Sequence, residues 1–236
     1  MWLWVVGLAL AGDKQERIER LELQVAALER EVAALRGAPP PSVDAAREEE
    51  AAELLKRGTD AAARLDYAEA KEVIATLTAG YAGTRATRAA ERLLQEVAVI
   101  GLRPGEPAVD EWYTQPAKVA DGGLTLVVFF EAWCPHCQRE LPKLPSWIER
   151  YGERGLQVVG LTRLTRDSTE EDVRAMIAEH ALTFPIGHED GGYSEALGVQ
   201  GIPAAALIRD GEVVWRGHPA KLDDAKFELL LPTTDP

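Results

Sequence analysis

The two cysteines are the residues of this chain whose type and spacing could support catalysis. They are Cys134 and Cys137, separated by Pro135 and His136, and the 236 residues contain no other cysteine. At the start of a helix, the dipole and the free backbone N–H groups of the first turn stabilise a thiolate. We therefore expect a redox-active dithiol, with Cys134 as the exposed attacking thiol and Cys137 as the more buried resolving thiol.

The dipeptide between the cysteines is expected to tune the dithiol. Pro135 fits the first helical turn because its missing N–H would have no partner there. A protonated His136 would add positive charge near Cys134. Such a charge favours the reduced form and makes the pair more oxidising.

Two other uses of the Cys-x-x-Cys pair are less favoured. Zinc would need further cysteines or a His-x₃₋₅-His pair, and the four histidines do not form one: His136, His180, His188 and His218. A purely structural disulfide would close almost no loop and so would restrain the unfolded chain little. We expect no metal and no cofactor other than the Cys134–Cys137 couple.

The elements around the motif predict an α/β fold. The apolar run 124–130 reads as a strand buried on both faces, and 156–162 reads as a second one. Residues 138–151 have helical spacing that Pro142 and Pro145 should interrupt. Strand, helix, strand and helix in this order predict a parallel arrangement with right-handed crossovers.

Shorter signals complete this part of the chain. Residues 168–171 read as a capping box in which Ser168 and Glu171 open a helix. Asp210-Gly211 between apolar runs predicts a hairpin of strands 204–209 and 212–216. A closing helix is expected at 221–231, and an edge strand or hairpin at 108–115.

The first twelve residues resemble a signal peptide or a short anchor. They are mostly apolar and end near the cleavage pattern Ala9-Leu10-Ala11, although no Lys or Arg precedes the apolar core. We expect an exported protein, periplasmic or anchored in the membrane and facing the periplasm. The alternative is the hydrophobic N-terminal helix of a cytosolic protein.

Residues 13–37 predict a coiled-coil helix, with apolar residues at alternating steps of three and four: Ile18, Leu21, Val25, Leu28, Val32 and Leu35. This seam at 18–35 would form a homo-oligomer or pack on its own chain. A Pro-rich linker follows at 38–43.

Residues 44–100 predict three helices, near 44–64, 67–79 and 85–99. The pattern is similar to a tetratricopeptide-type hairpin and would serve as a spacer or docking module, or as an ordinary helical bundle. Pro and Gly residues place a boundary near 101–104.

The charge of the chain excludes some partners. Its net charge is −13, and no basic patch would suit nucleic acid or anionic lipid. We expect neither as a partner.

Several motifs in order resemble the thioredoxin superfamily, and its exported TlpA/ResA-like thiol oxidoreductases in particular. They are Phe129 to Cys137, Glu140-Leu141-Pro142, Arg154 to Gly160, Gly201-Ile202-Pro203 and Asp210-Gly211. The resemblance covers 103–231, leaving 232–236 as a tail, and implies a thioredoxin-like fold: a central mixed sheet flanked by helices, with an inserted helix between the second and third core strands. Here an all-α region precedes this fold.

The resemblance also implies roles for residues outside the dithiol. Trp133 matches the tryptophan that flanks the active site, and Glu140 matches an acid near the dithiol that helps to move protons. From the sequence alone, the alternative for Glu140 is a solvated residue on the helix face. Pro203 matches a proline with a cis peptide bond, here Ile202–Pro203, beside the dithiol. The backbone of Ile202 would pair with an extended substrate strand.

Three positions depart from the family pattern. Val128 replaces the buried acid that aids proton transfer to the resolving cysteine, and Ala204 replaces a common threonine. Glu131 stands where a small residue is usual. We hypothesise that Glu131 substitutes for the missing acid.

The predicted function is that of a thiol–disulfide oxidoreductase. It would reduce or oxidise disulfides in exported proteins and exchange electrons with a redox partner protein. The alternative is an interaction protein, in which the helices drive assembly and the thioredoxin-like part binds extended peptides. A thiol peroxidase is less favoured because the sequence has no Pro-x₃-Thr-x₂-Cys motif.

Overall fold

A computed structural model describes residues 43–119 and 123–232, and five helical positions between 21 and 28. Among those five, Leu21, Val25 and Leu28 are exposed. The predicted signal segment, most of the coiled coil and linker, and residues 233–236 of the predicted tail lie outside the described residues. In the described part, no helix has the length and apolar character needed to cross a membrane.

Three helices precede the sheet: α1 (Val43–Ala63), α2 (Tyr67–Gly80) and α3 (Arg85–Ala98). Each begins and ends within one residue of its predicted bounds. Asp66 caps α2 by accepting the Glu69 N–H, and Thr84 caps α3 by accepting the Thr87 N–H, both at 3.1 Å.

Small apolar clusters hold these helices together. Buried alanines let neighbouring helices approach closely, and larger side chains fill the space beside them. The two clusters are Ala61, Ala70, Ile74, Leu93 and Val97, and Ala51, Leu77, Ala86 and Ala90.

The second part of the chain forms a six-stranded mixed sheet in the order β1-β4-β3-β2-β5-β6. Its strands are β1 (Val109–Trp112), β2 (Leu124–Phe130), β3 (Leu156–Thr162), β4 (Ile186–Glu189), β5 (Ala204–Arg209) and β6 (Glu212–Gly217). The pairs β2–β3 and β3–β4 are parallel, and the other three pairs are antiparallel. The predicted α/β class with a mixed sheet and preceding helices is confirmed.

Five helices accompany the sheet: α4 (Pro135–Glu140), α5 (Leu144–Tyr151), α6 (Glu170–Glu179), α7 (Gly192–Ala196) and α8 (Asp224–Leu230). A 3₁₀ turn at Leu141–Lys143 separates α4 from α5, where Pro142 and Pro145 were expected to interrupt the helix. The helix inserted between β3 and β4 is α6.

The prediction for the start of α6 was wrong by one residue. The N-cap is Thr169, and its capping box is closed by Asp172 rather than Glu171. Ser168 belongs to the preceding turn, where its N–H bonds to the Thr165 carbonyl at 3.1 Å.

Strand β2 occupies the middle of the sheet and is buried along its whole length. Its alternate residues face two different core clusters: Phe130 packs in the cluster that contains both cysteines, and Phe129 in the cluster that contains Val99. Burying each phenylalanine contributes about 1.5–3 kcal/mol. The motif that follows β2 therefore starts from a firmly anchored strand.

Residues 50–236 cluster as one compact unit, so the predicted boundary near 101–104 lies inside it. Directly after α3, the backbone runs beside the outer strand β6. Gly101 N–H donates to the Val213 carbonyl, and Val213 N–H donates to the Leu102 carbonyl, both at 2.9 Å. Two elements of this unit were missed by the sequence analysis: strand β4 and the short helix α7.

Candidate active site

The dithiol lies at the start of α4, directly after the turn that follows β2. A turn of Glu131 to Trp133 follows the strand, Cys134 is the N-cap, and Pro135 occupies the first turn of the helix as predicted. Both cysteines are free thiols. The arrangement puts the sulfur of Cys134 at the positive end of the helix.

The expectation of an exposed Cys134 was wrong. Its fractional exposure is 4%, against 0% for Cys137, because both side chains pack in the core cluster of β2. The pKa of the Cys137 thiol is raised, chiefly by burial and then by a hydrogen bond with the Cys134 side chain. Cys137 is therefore a protonated thiol at neutral pH, and Cys134 is the more accessible of the two.

The peptide bond between Ile202 and Pro203 is cis and lies beside the dithiol. The Cys134 thiol donates to the Ile202 carbonyl, with 3.8 Å between Sγ and O. The structure thus brings together the two parts of the chain that the resemblance pairs, across 68 positions of sequence.

Glu131 is a buried carboxylate, only 4% exposed, at the end of β2. Its Oε2 atom accepts the indole N–H of Trp133 at 2.5 Å and the hydroxyl of Thr165. Outside this pair, the guanidinium of Arg166 covers the Trp133 ring at 3.8 Å from its centroid. These contacts fix the carboxylate and the indole relative to each other.

Glu131 also acts on the resolving thiol. After burial and the Cys134 contact, the negative charge of Glu131 raises the pKa of Cys137 further, and a hydrogen bond with the Glu131 backbone lowers it. Val128, at the position of the missing acid, is fully buried and apolar. The carboxylate that influences Cys137 therefore comes from the turn after β2 rather than from the strand.

His136 is exposed, and its Nδ1 atom lies 2.5 Å from the Arg139 guanidinium. Since arginine has only donors, Nδ1 accepts this bond. The bond places the Arg139 guanidinium beside the His136 ring.

Glu140 lies on α4 with a side chain that is 15% exposed and bonded to Lys143 Nζ at 2.8 Å. Its negative charge affects the pKa of His218, the residue that follows β6. Burial lowers the pKa of His218, and Glu140 partly opposes this shift. Glu140 is therefore partly buried rather than a fully solvated residue.

Sequence reasoning missed three residues at this site: Thr165, Arg166 and His218. The first two follow β3 in the stretch Thr162 to Arg166. The carboxyl ends of parallel strands meet at one edge of a sheet, so the end of β3 was a signal that could have found them.

The mixed sheet, the dithiol at a helix start and the cis proline define a thioredoxin-like class of protein. Residues 110–216 match the family model described as the AhpC/TSA family. Relatives include the thiol-disulfide oxidoreductase ResA of Bacillus thuringiensis subsp. konkukian, 30% identical over 88 residues, which are 36% of this chain and 49% of that protein. The thioredoxin-like protein YneN of Bacillus subtilis is 26% identical over 138 residues, 56% of this chain and 81% of YneN. Residues 110–216 are thus similar to the AhpC/TSA family, and the chain is similar to thiol-disulfide oxidoreductases named ResA.

Two solved structures also align with part of the chain. StoA from Bacillus subtilis is 23% identical, with a TM-score of 0.41 over 48% of this chain and 90% of StoA. A thiol-disulfide isomerase from Corynebacterium glutamicum is 23% identical, with a TM-score of 0.46 over 58% of this chain and 98% of that one. The chain spans about half the length of the ResA proteins that it matches first, 49% in the case described above.

Proposed function

We propose that this protein is a thiol–disulfide oxidoreductase that acts on exported proteins through a Cys134–Cys137 dithiol. The observation that carries the proposal is the position of Cys134. This residue is the N-cap of α4, and its Sγ atom lies 3.8 Å from the carbonyl oxygen of Ile202, which precedes a cis proline. Relatives named as thiol-disulfide oxidoreductases support it.

In the reducing direction, the Cys134 thiolate attacks one sulfur of a client disulfide. A Cys134–client bond forms, and the other client sulfur leaves as a thiolate that takes up a proton. Cys137 then loses its proton and attacks Cys134 Sγ, which forms the Cys134–Cys137 disulfide and releases the second client thiol. Two electrons pass from the protein to the client.

Proton removal from Cys137 is the step that needs help, because burial raises the pKa of this thiol. Glu131 is a buried carboxylate close enough to Cys137 to affect that pKa. We assign Glu131 the role of proton acceptor for Cys137 during resolution.

The proposed partners follow from the same chemistry. An extended client segment pairs with the backbone of Ile202, and a dithiol protein reduces the Cys134–Cys137 disulfide for the next cycle. Run backwards, the same steps oxidise a client dithiol. The apolar first twelve residues and Ala9-Leu10-Ala11 support export, which would put this chemistry in the periplasm.

Reduction of hydroxyethyl disulfide and of a disulfide-bonded peptide by the full chain, with a chemical dithiol as electron donor, tests the proposal. Cys134→Ser should abolish turnover, and Cys137→Ser should stop it after one mixed disulfide, visible by mass spectrometry. Thr76→Ser on α2 serves as a matched control. Turnover that survives loss of Cys134 would refute the proposal.

The reduction potential of the Cys134–Cys137 couple then gives the direction of exchange. A difference of about 30 mV is worth about 1.4 kcal/mol for two electrons. A strongly reducing value indicates a reductase, whereas an oxidising value indicates that the protein oxidises its clients.

A further inference from the structure

A pocket of about 360 Å³ opens between helix α3 and the loop that leads into β5. We call it the α3 pocket. The residues that matter here are Arg88, Arg92 and Glu96 from α3, Gly201 from the loop, Ala204 from the start of β5, and Arg216 from β6. One wall therefore comes from the helical part of the chain, and the other comes from the thioredoxin-like part.

The α3 pocket is lined by residues adjacent in sequence to the proposed client contact. Gly201 and Ala204 directly flank the cis pair of Ile202 and Pro203. Ile202 carries the carbonyl that lies 3.8 Å from Cys134 Sγ. A client strand paired with Ile202 would therefore run next to residues that line the pocket.

The charges on α3 favour an anion. Arg88 and Arg92 are exposed and lie four residues apart, so both side chains project from the same side of the helix. Glu96 is buried and already pairs with Lys221 at 2.9 Å and with Arg92 at 3.6 Å. Glu91 is the other carboxylate of the lining, and it is exposed to solvent.

The third arginine, Arg216, is buried and keeps its charge. Its guanidinium donates to the carbonyls of Leu197, Gly198 and Gly217. Among the described residues, no carboxylate forms an ion pair with it. Burial lowers the pKa of Arg216 to about 10, so the group is still cationic at neutral pH. It adds positive potential to the pocket without needing to touch a ligand.

We propose that the α3 pocket binds an acidic side chain, Asp or Glu, of an extended client peptide whose backbone pairs with Ile202. The proposal rests on the proposed function and names a class of client for it. Arginine binds carboxylates through paired, charge-assisted hydrogen bonds. Arg88 donates one bond, from Nη1 to the Gly83 carbonyl at 2.9 Å, and Arg92 Nε lies 3.6 Å from Glu96, which leaves each guanidinium further donors for a ligand. Since the whole chain has a net charge of −13, this local positive site would distinguish clients that the protein otherwise repels.

Three disulfide-bonded peptides test this inference. They differ only in carrying Asp, Asn or Lys at the two positions on each side of the reacting cysteine. The full chain should reduce the Asp peptide with a kcat/KM about three- to tenfold above the Asn peptide, mainly through KM, and the Lys peptide should be slowest. Arg88→Gln combined with Arg92→Gln should remove this order.

Arg209→Glu is the matched control, since Arg209 is an exposed arginine at the other end of β5, roughly 16 Å from Ala204. It should keep the preference. Hydroxyethyl disulfide is uncharged and too small to reach the pocket, so all arginine variants should reduce it at the wild-type rate, which also shows that they are folded. For the unaltered protein, the Asp preference should fade between about 0.01 M and about 1 M salt.

The outcomes separate the two proposals. Equal rates for the three peptides, or a preference that survives loss of Arg88 and Arg92 or is unaffected by salt, would overturn the client class while hydroxyethyl disulfide is still reduced. If neither that disulfide nor any peptide is reduced, the oxidoreductase function fails, and the client class fails with it.

Discussion

The indole N–H of Trp133 donates a 2.5 Å hydrogen bond to the carboxylate of Glu131. The same oxygen accepts the hydroxyl of Thr165, which reaches it from the end of β3. Two donors on one oxygen leave the other carboxylate oxygen of Glu131 with capacity to accept a proton. This relationship joins the residue next to the attacking cysteine to the acid that influences the resolving one.

Glu131→Gln should slow the resolving step. The amide keeps the size of the side chain but cannot accept the Cys137 proton, and a general base of this kind contributes roughly 10²–10⁴-fold. We expect the mixed disulfide to persist at least about tenfold longer in rapid-quench experiments. Glu140→Gln, in the same region, is the comparison, and an unchanged lifetime for Glu131→Gln would remove its role as proton acceptor.

Arg166 and Trp133 should be energetically coupled. The guanidinium lies 3.8 Å from the ring centroid. Such pairs contribute about 0.5–1 kcal/mol at exposed sites. A double-mutant cycle of Arg166→Ala and Trp133→Leu, measured by urea unfolding, should recover a coupling of this size. A coupling free energy of zero would mean that the contact contributes nothing to stability.

Alkylation should distinguish the two thiols of the reduced protein. Cys137 is inaccessible and its pKa is raised by burial, so it has almost no thiolate at pH 7. Iodoacetamide should add one group, at Cys134, as determined by peptide mass spectrometry. Addition to both cysteines in the folded state would contradict the arrangement described here.

The raised pKa of Cys137 also predicts how stability depends on pH. The unfolded thiol titrates near about 8.5, and the folded one titrates higher, so unfolding releases a proton once the pH exceeds about 8.5. The contribution is fully present below that pH and is lost as the pH rises. Relative to Cys137→Ala, the reduced protein should lose up to about 1.4 kcal/mol of unfolding free energy per pH unit above about pH 9. Parallel pH profiles would refute this.

Gly160 on β3 should not tolerate a side chain. A Cβ atom there would lie 3.0 Å from Phe130 Cε1 and 3.2 Å from Ile186 Cγ1. Gly160→Ala should therefore destabilise the fold by about 1–3 kcal/mol in urea unfolding. At Gly80, which ends α2, a Cβ would meet nothing within 4 Å. Gly80→Ala should be neutral or slightly stabilising, and equal effects at both positions would contradict the packing.

Long runs and local turn chemistry made much of this fold predictable. Strands β2 and β3 are continuous apolar segments, and the hairpin of β5 and β6 turns at Asp210 and Gly211, both with positive φ. Strand β4 was missed because its four residues include a glycine and a histidine and show no alternation. It exists through pairing with β1 and β3, which is a tertiary effect.

The residues of the site also fall into those that local sequence predicts and those that depend on tertiary contacts. Cys134, Cys137 and Pro203 carry motifs, so they could be named from the sequence. The burial of Cys134 depends on packing in the core cluster, and the contacts of Glu131 depend on Thr165, 34 positions away along the chain. No local pattern encodes a contact of that separation.

The two backbone hydrogen bonds that join Gly101 and Leu102 to Val213 affect where an extended client can pair with the sheet. An outer strand with unpaired amide and carbonyl groups would attract any extended peptide, or another copy of the chain, along the flank of the sheet. Here the chain's own backbone occupies that flank at Val213. The backbone of β6 is therefore not free to pair with another strand at Val213, and the proposed client contact at Ile202 does not compete with pairing at that position.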